Sequence, residues 1–206
     1  KLIFVLLLLY FNLNAQTNNI CAWDSVGLGV NSTCLDSSSN SVFIGFAGWS
    51  VKQSWANNWV QQLYFSKLKL LNVGFLFSVK GPTSSCYKEQ EVDNISLAKN
   101  LIYLATNKKI DKIIIAAHSS GSFVAHHLFK ILFAERILSE SNVLADKILY
   151  FNLDGGIGSQ NCGVPIDSAV AENLACIYAV YAYDNDSKIF SPNKEDMVEL
   201  HKMFEN

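Results

Sequence analysis

The chain has 206 residues, half of them hydrophobic, and a formal net charge of −2. That length suits one ordinary globular domain whose core needs no covalent staples. The near-neutral balance leaves no basic surface for nucleic acid.

The first residues read apart from the rest. Lys1 supplies a positive start, Leu2 to Phe11 is an unbroken apolar run, and Leu13-Asn14-Ala15 ends on a small residue. This is the pattern of a secretory signal peptide cleaved after Ala15, so residues 1–15 are set aside and the product is expected to be secreted or periplasmic. The apolar run is short for a bilayer span, and no later stretch is long and apolar enough, so no stable membrane span is expected once it is removed. A first residue of Lys rather than Met leads us to expect that the N-terminus is incomplete.

Five cysteines follow: Cys21, Cys34, Cys86, Cys162 and Cys176. Export favours disulfides, and an odd count leaves one over. Cys21 with Cys34 and Cys162 with Cys176 are the pairings to consider first, although spacing does not fix connectivity. No Cys/His cluster has metal-ligand spacing, so neither a metal nor a cofactor is expected.

Residues 16–40, rich in Asn, Ser, Thr and Gly, read as an irregular leader to a domain over 41–206. Ser41 to Phe46 is a strand that runs into Ala47-Gly48-Trp49-Ser50. Trp55 and Trp59, four residues apart, suit one packed face of a helix. Asn72 to Val79 is the next strand, closed by the turn Lys80-Gly81-Pro82. Over 89–106 the spacing of Ile95, Ala98, Leu101, Ile102 and Ala105 predicts an amphipathic helix.

Lys112 to His118 holds a β-branched apolar run suited to a strand buried on both faces. It breaks into small residues around Ser119, and an apolar stretch of helical length follows from Phe123 to Ala134. Strand, tight turn with a serine at the apex, then helix is the layout of a nucleophile elbow. Ala117 and Gly121 stand two residues either side of Ser119, where a strained turn tolerates only small neighbours. The helix holds His126 and His127, but His126 lies about 10 Å along the axis from the serine, too far to act as its base. These two and His118 read as packing or hydrogen-bonding residues.

Lys147 to Leu153 is a further strand ending in Asp154-Gly155-Gly156, and a glycine-rich loop follows. Cys176 to Tyr183 is a strand with Asp184-Asn185-Asp186 at its end, and Asn193 to Phe204 reads as a last helix. Strands alternating with helices predict a mainly parallel central sheet with helices on both faces, a three-layer α/β fold. Ligand sites of such sheets lie at the C-terminal strand ends, where Ser119, Asp154, Asp184 and the Ala47-Gly48 turn all fall.

Ala117-His118-Ser119-Ser120-Gly121 resembles the Gly-x-Ser-x-Gly elbow of the α/β-hydrolase superfamily, with Ala in place of the first Gly. The resemblance implies that Ser119 attacks an acyl carbonyl and that the Ser120 N–H forms half of an oxyanion hole. It also implies that the loop after the first strand of the domain supplies the second N–H, here from Ala47 or Gly48. The triad acid is implied at Asp184, with Asp186 or Asp154 as alternatives. The catalytic histidine is implied after one further strand, which this sequence does not reach. His201 is the only histidine downstream, and its helical spacing from Met197 and Phe204 makes it a packing residue before a base. The chain is therefore expected to be a fragment, weakly active or inactive by itself. The implied activity is serine-dependent cleavage of a carboxylic ester or related bond in a small or lipid-like acyl substrate.

A non-catalytic binding protein on the same fold is the alternative. A nucleotide-binding domain is disfavoured, since no Gly-rich phosphate loop follows the first strand.

Overall fold

The computed structural model describes residues 22–66, 72–83, 91–135, 137–155 and 166–180. Its strands are β1 (Asp24–Gly27), β2 (Val30–Cys34), β3 (Ser41–Phe46), β4 (Val73–Val79), β5 (Lys112–His118), β6 (Ile148–Leu153) and β7 (Cys176–Val180). They form one sheet in the order β1-β2-β4-β3-β5-β6-β7. From β3 to β7 every pairing is parallel. The β1–β2 hairpin joins β4 antiparallel.

The helices are α1 (Gln53–Ser66), α2 (Asn94–Asn107), α3 (Gly121–Phe129) and the short α4 (Ser168–Ala171). A π-helical turn, Lys130–Ala134, extends α3, and a 3-10 turn spans Ser139–Leu144. Parallel strands need crossovers, and here the helices serve as the crossovers and cover the sheet. Ile113, Ile115 and Ala117 of β5 face a core shared with Leu97 and Leu101 of α2 and Val124 and Leu128 of α3. Ile114 and Ala116 face the opposite side, in a smaller core with Val60 of α1 and the half-buried Trp59 and Leu63. Both faces of β5 are thus dry, which is why its sequence is apolar without alternation. The architecture is the three-layer α/β sandwich that the sequence predicts.

Local chemistry starts and shapes the helices. Asp93 caps α2, its carboxylate accepting from the Ser96 N–H at 2.9 Å, and such a cap is worth about 1 kcal/mol. Helix α3 is buried on nearly every side, His126 and His127 included, because it lies between the sheet, α2 and the π turn.

Several expectations are corrected. Residues 24–34 form a hairpin rather than an irregular leader, since β2 finds its hydrogen-bonding partner in β4, far along the chain. Trp55 is 71% exposed while Trp59 packs on the smaller core, so the two do not share a buried face. The loop after β6 contains α4, started by the Asp167 carboxylate accepting from Val170 N–H. No disulfide forms at Cys34 or Cys176, the described halves of the two expected pairs. Cys34 sits in the β2–β4 ladder opposite Phe75, and Cys176 opposite Leu149 in the β6–β7 ladder.

Residues 1–15, Cys21, Cys86, Cys162, Asp184, Asp186, His201 and the helix expected at 193–204 lie outside the described residues. Among the described residues no helix is long and apolar enough to cross a membrane.

Candidate active site

Parallel register brings the strand ends together. Phe46 pairs with both Val79 and Ala117, His118 with Leu153, and Leu153 with Val180. The turns after β3, β4, β5 and β6 therefore share one edge of the sheet.

Ser119 stands at the apex of the turn after β5 with φ of 51°. A serine in this left-handed region costs about 1–2 kcal/mol, so the surroundings must hold it there. They do so through the backbone. Ser119 N–H donates to Leu153 O at 3.0 Å, and the N–H groups of Ser122 and Phe123 close the first helical turn onto Ser119 O and Ser120 O. Gly121 permits the turn to sit against β3: a β-carbon there would lie 2.6 Å from the carbonyl oxygens of both Phe46 and Ala47.

The loop after β3 reaches the same place. A β-carbon on Gly48 would lie 3.0 Å from His118 Nδ1 and 3.4 Å from Ser119 Cβ, so the Gly48 backbone packs directly on the elbow. The loop is tied down along its length. Ala47 N–H donates to Val79 O, Val51 N–H to Gly48 O, Ser50 N–H to Pro82 O, and Trp49 Nε1–H to Thr83 O at 3.0 Å. The two N–H groups proposed from sequence after β3 thus differ. That of Ala47 is consumed at 3.0 Å by Val79 O, as a continuation of the β3–β4 ladder. The N–H groups of Gly48 and Ser120 donate to no described residue. The backbones of Gly48 and Ser120 thus both adjoin Ser119, where the N-terminus of α3 begins.

His118 and Asp154 flank the serine. His118 is exposed at the strand end. Packed atoms around its imidazole hold the pKa below the ordinary value, and the Asp154 carboxylate opposes that shift by attraction for the charged ring. Asp154 itself has φ of 55° and donates its N–H to Val180 O at 2.6 Å, so it marks a turn off β6 beside the elbow. His126 and His127 lie elsewhere. His126 Nε2 is 2.9 Å from the Tyr150 hydroxyl, and His127 Nδ1 is 3.1 Å from Asn94 Nδ2.

The contact between Gly48 and His118, and the buried Asn152 that accepts from Gly155 N–H at 3.0 Å, were not foreseen from sequence. The first depends on strand register, for which the sequence carries no local signal, and the second is a local bond across three residues at the end of β6. Among the described residues no three His, Cys, Asp or Glu side chains converge as metal ligands.

No protein-family model matches the chain, and no curated protein matches it in sequence. Solved structures resemble it in shape at low identity. A carboxylesterase candidate from Lactobacillus plantarum shares 11% identity over 84% of this chain and 79% of its own, with a TM-score of 0.44. An esterase from Pyrococcus furiosus shares 13% over 94% and 95%, with a TM-score of 0.41. An α/β serine hydrolase from Xanthomonas campestris shares 12% over 90% and 94%, with a TM-score of 0.38.

Proposed function

We propose that this chain is an exported serine hydrolase acting on a carboxylic ester or related acyl bond. One observation carries the reading: a serine held at positive φ between a buried strand and a helix, beside the N–H groups of Gly48 and Ser120, which donate to no described residue. Strain of that kind persists only where the surrounding fold enforces it, and it concentrates at functional sites.

In this reading Ser119 Oγ attacks the acyl carbonyl carbon as its proton passes to a histidine base. Gly48 and Ser120 N–H stabilise the oxyanion. The alcohol departs with that proton, and water then cleaves the acyl-serine by the same route. The acid orienting the histidine is Asp184, with Asp186 or Asp154 as alternatives, and Asp154 has in its favour a position at the neighbouring strand end. His201 is the downstream histidine to test as base. Export is supported by the Lys1–Ala15 pattern.

A second reading is a non-catalytic binding protein on this fold. In it the serine turn is a structural relic of the fold.

A fluorophosphonate probe separates the two. The hydrolase reading expects labelling of the chain that disappears in Ser119→Ala, together with ester cleavage. A folded chain that takes no label, or label that survives Ser119→Ala, favours the binding protein.

A further inference from the structure

The turn that follows β4 braces the loop that follows β3. Gly81 N–H donates to Val51 O at 2.9 Å, Ser50 N–H to Pro82 O at 2.7 Å, and the Trp49 indole to Thr83 O at 3.0 Å. Gly81 is buried against Gly48, and a β-carbon on Gly81 would collide with the Gly48 carbonyl oxygen. The two turns therefore meet backbone to backbone.

The peptide linking Ala47 to Gly48 carries the N–H that is the candidate oxyanion donor. Its oxygen rests against Gly121, where a β-carbon would lie 2.6 Å away. In a trans peptide the N–H points opposite to the carbonyl, so this contact directs the Gly48 N–H away from the start of α3. The next carbonyl, Gly48 O, accepts from Val51 N–H at 3.2 Å and lies against Gly81. The donor is thus aimed from one side by α3 and from the other by residues 80–83.

That second turn is itself held at both ends. Lys80 N–H donates to Gly29 O of the hairpin at 3.0 Å. Thr83 N–H donates to the Glu91 carboxylate at 2.6 Å. A hydrogen bond to a carboxylate is roughly twice as strong as a neutral one. Thr83 is therefore fixed at its N–H by Glu91 while its C=O receives the Trp49 indole. Trp49 directly follows Gly48, so a shift of Thr83 reaches the donor through one indole bond and one peptide link.

Under the hydrolase reading, on which this rests, such a shift has a chemical cost. Misplacing a catalytic group by about 1 Å can slow a reaction about 10²-fold. We propose that Glu91 is a positioning residue for the oxyanion hole, acting through Thr83 and the Trp49 indole on the Gly48 N–H. Glu91 is only half-buried, so its replacement leaves the core untouched.

The test measures phosphonylation of the full chain by an alkyl fluorophosphonate, resolved into a limiting rate and a half-saturating concentration. The Trp49 indole N–H is followed in parallel by proton–nitrogen NMR. Glu91→Ala is expected to shift that indole signal and to slow the limiting rate about tenfold, with half-saturation unchanged. That is part of the roughly 10²–10³ that loss of a whole oxyanion donor costs. Glu91→Gln, whose amide oxygen still accepts from Thr83 N–H, is expected to stay within about threefold of the unmodified chain. Trp49→Phe removes the indole donor and is expected to slow labelling about as much as Glu91→Ala. The double variant is expected to be no slower than either, because both changes break one linkage.

An indole signal or a limiting rate unmoved in Glu91→Ala overturns the proposal. So does a Glu91→Gln variant as slow as Glu91→Ala, or additive losses in the double variant. A folded, unmodified chain that takes no label defeats the hydrolase reading and this proposal with it, whereas labelling indifferent to Glu91 defeats the proposal alone.

Discussion

The Cα of Gly121 rests against the carbonyl of Ala47, so closely that a β-carbon would come within 2.6 Å of its oxygen. This contact joins the first turn of α3 to the end of β3. In an exposed helix Gly→Ala raises stability by about 1 kcal/mol. Here the sign is expected to reverse. Gly121→Ala forces the helix off the strand and costs about 1–3 kcal/mol, as overpacking does. Thermal melting would record the loss, and fluorophosphonate labelling would fall with it.

Ser119 offers the complementary experiment. Its φ of 51° is a conformation that glycine adopts without penalty. Ser119→Ala keeps the strain, whereas Ser119→Gly releases about 1–2 kcal/mol of it. The glycine variant should therefore melt higher than the alanine variant, against the usual order, while neither takes the probe. An alanine variant equal or superior in stability would mean that the turn is unstrained in solution.

His118 predicts a pH dependence. Burial lowers its pKa below the ordinary 6.5, with Asp154 opposing the shift. The unfolded chain thus takes up a proton at a higher pH than the folded one. The stability linked to this group is complete above pH 6.5 and declines as the pH falls through the window below it, down to the folded pKa. His118→Gln should flatten that part of the stability profile. Asp154→Asn, by removing the favourable charge, should lower the imidazole pKa further, measurable by titrating the ring protons by NMR.

Tyr150 and His126 face each other inside the main core, the hydroxyl 2.9 Å from Nε2. The Tyr150 phenol is held well above its ordinary pKa by burial and stays protonated. Tyr150→Phe leaves His126 Nε2 buried without its partner, and a loss of about 1–3 kcal/mol is expected in denaturant unfolding.

How much of this was legible beforehand depends on where the information resides. Lys112 to His118 was readable because a strand with two dry faces must be apolar throughout, and the small residues after it could mean only a tight turn. The helix at Asn94–Asn107 was readable from the spacing of Ala98, Leu101 and Ala105, though its start was placed five residues early at 89. The hairpin was not readable: Asp24–Gly27 and Val30–Cys34 are short and polar, and they are strands because β4 offers an edge. The choice between Ala47 and Gly48 was equally hidden. Both are small, and only the β3–β4 register decides which N–H is consumed by Val79.

The outermost strand, β1, also affects how these molecules meet one another. It is four residues long, begins with an exposed aspartate, and its register with β2 shifts between Ser25 and Gly27. A strand so short, charged and irregular makes a poor template for another chain, whereas the flat apolar edge of β4 would have been a good one. By covering β4, the hairpin closes this side of the sheet to edge-to-edge aggregation. Deleting residues 22–34 would expose that edge, and the sign of its loss would be self-association before any loss of chemistry.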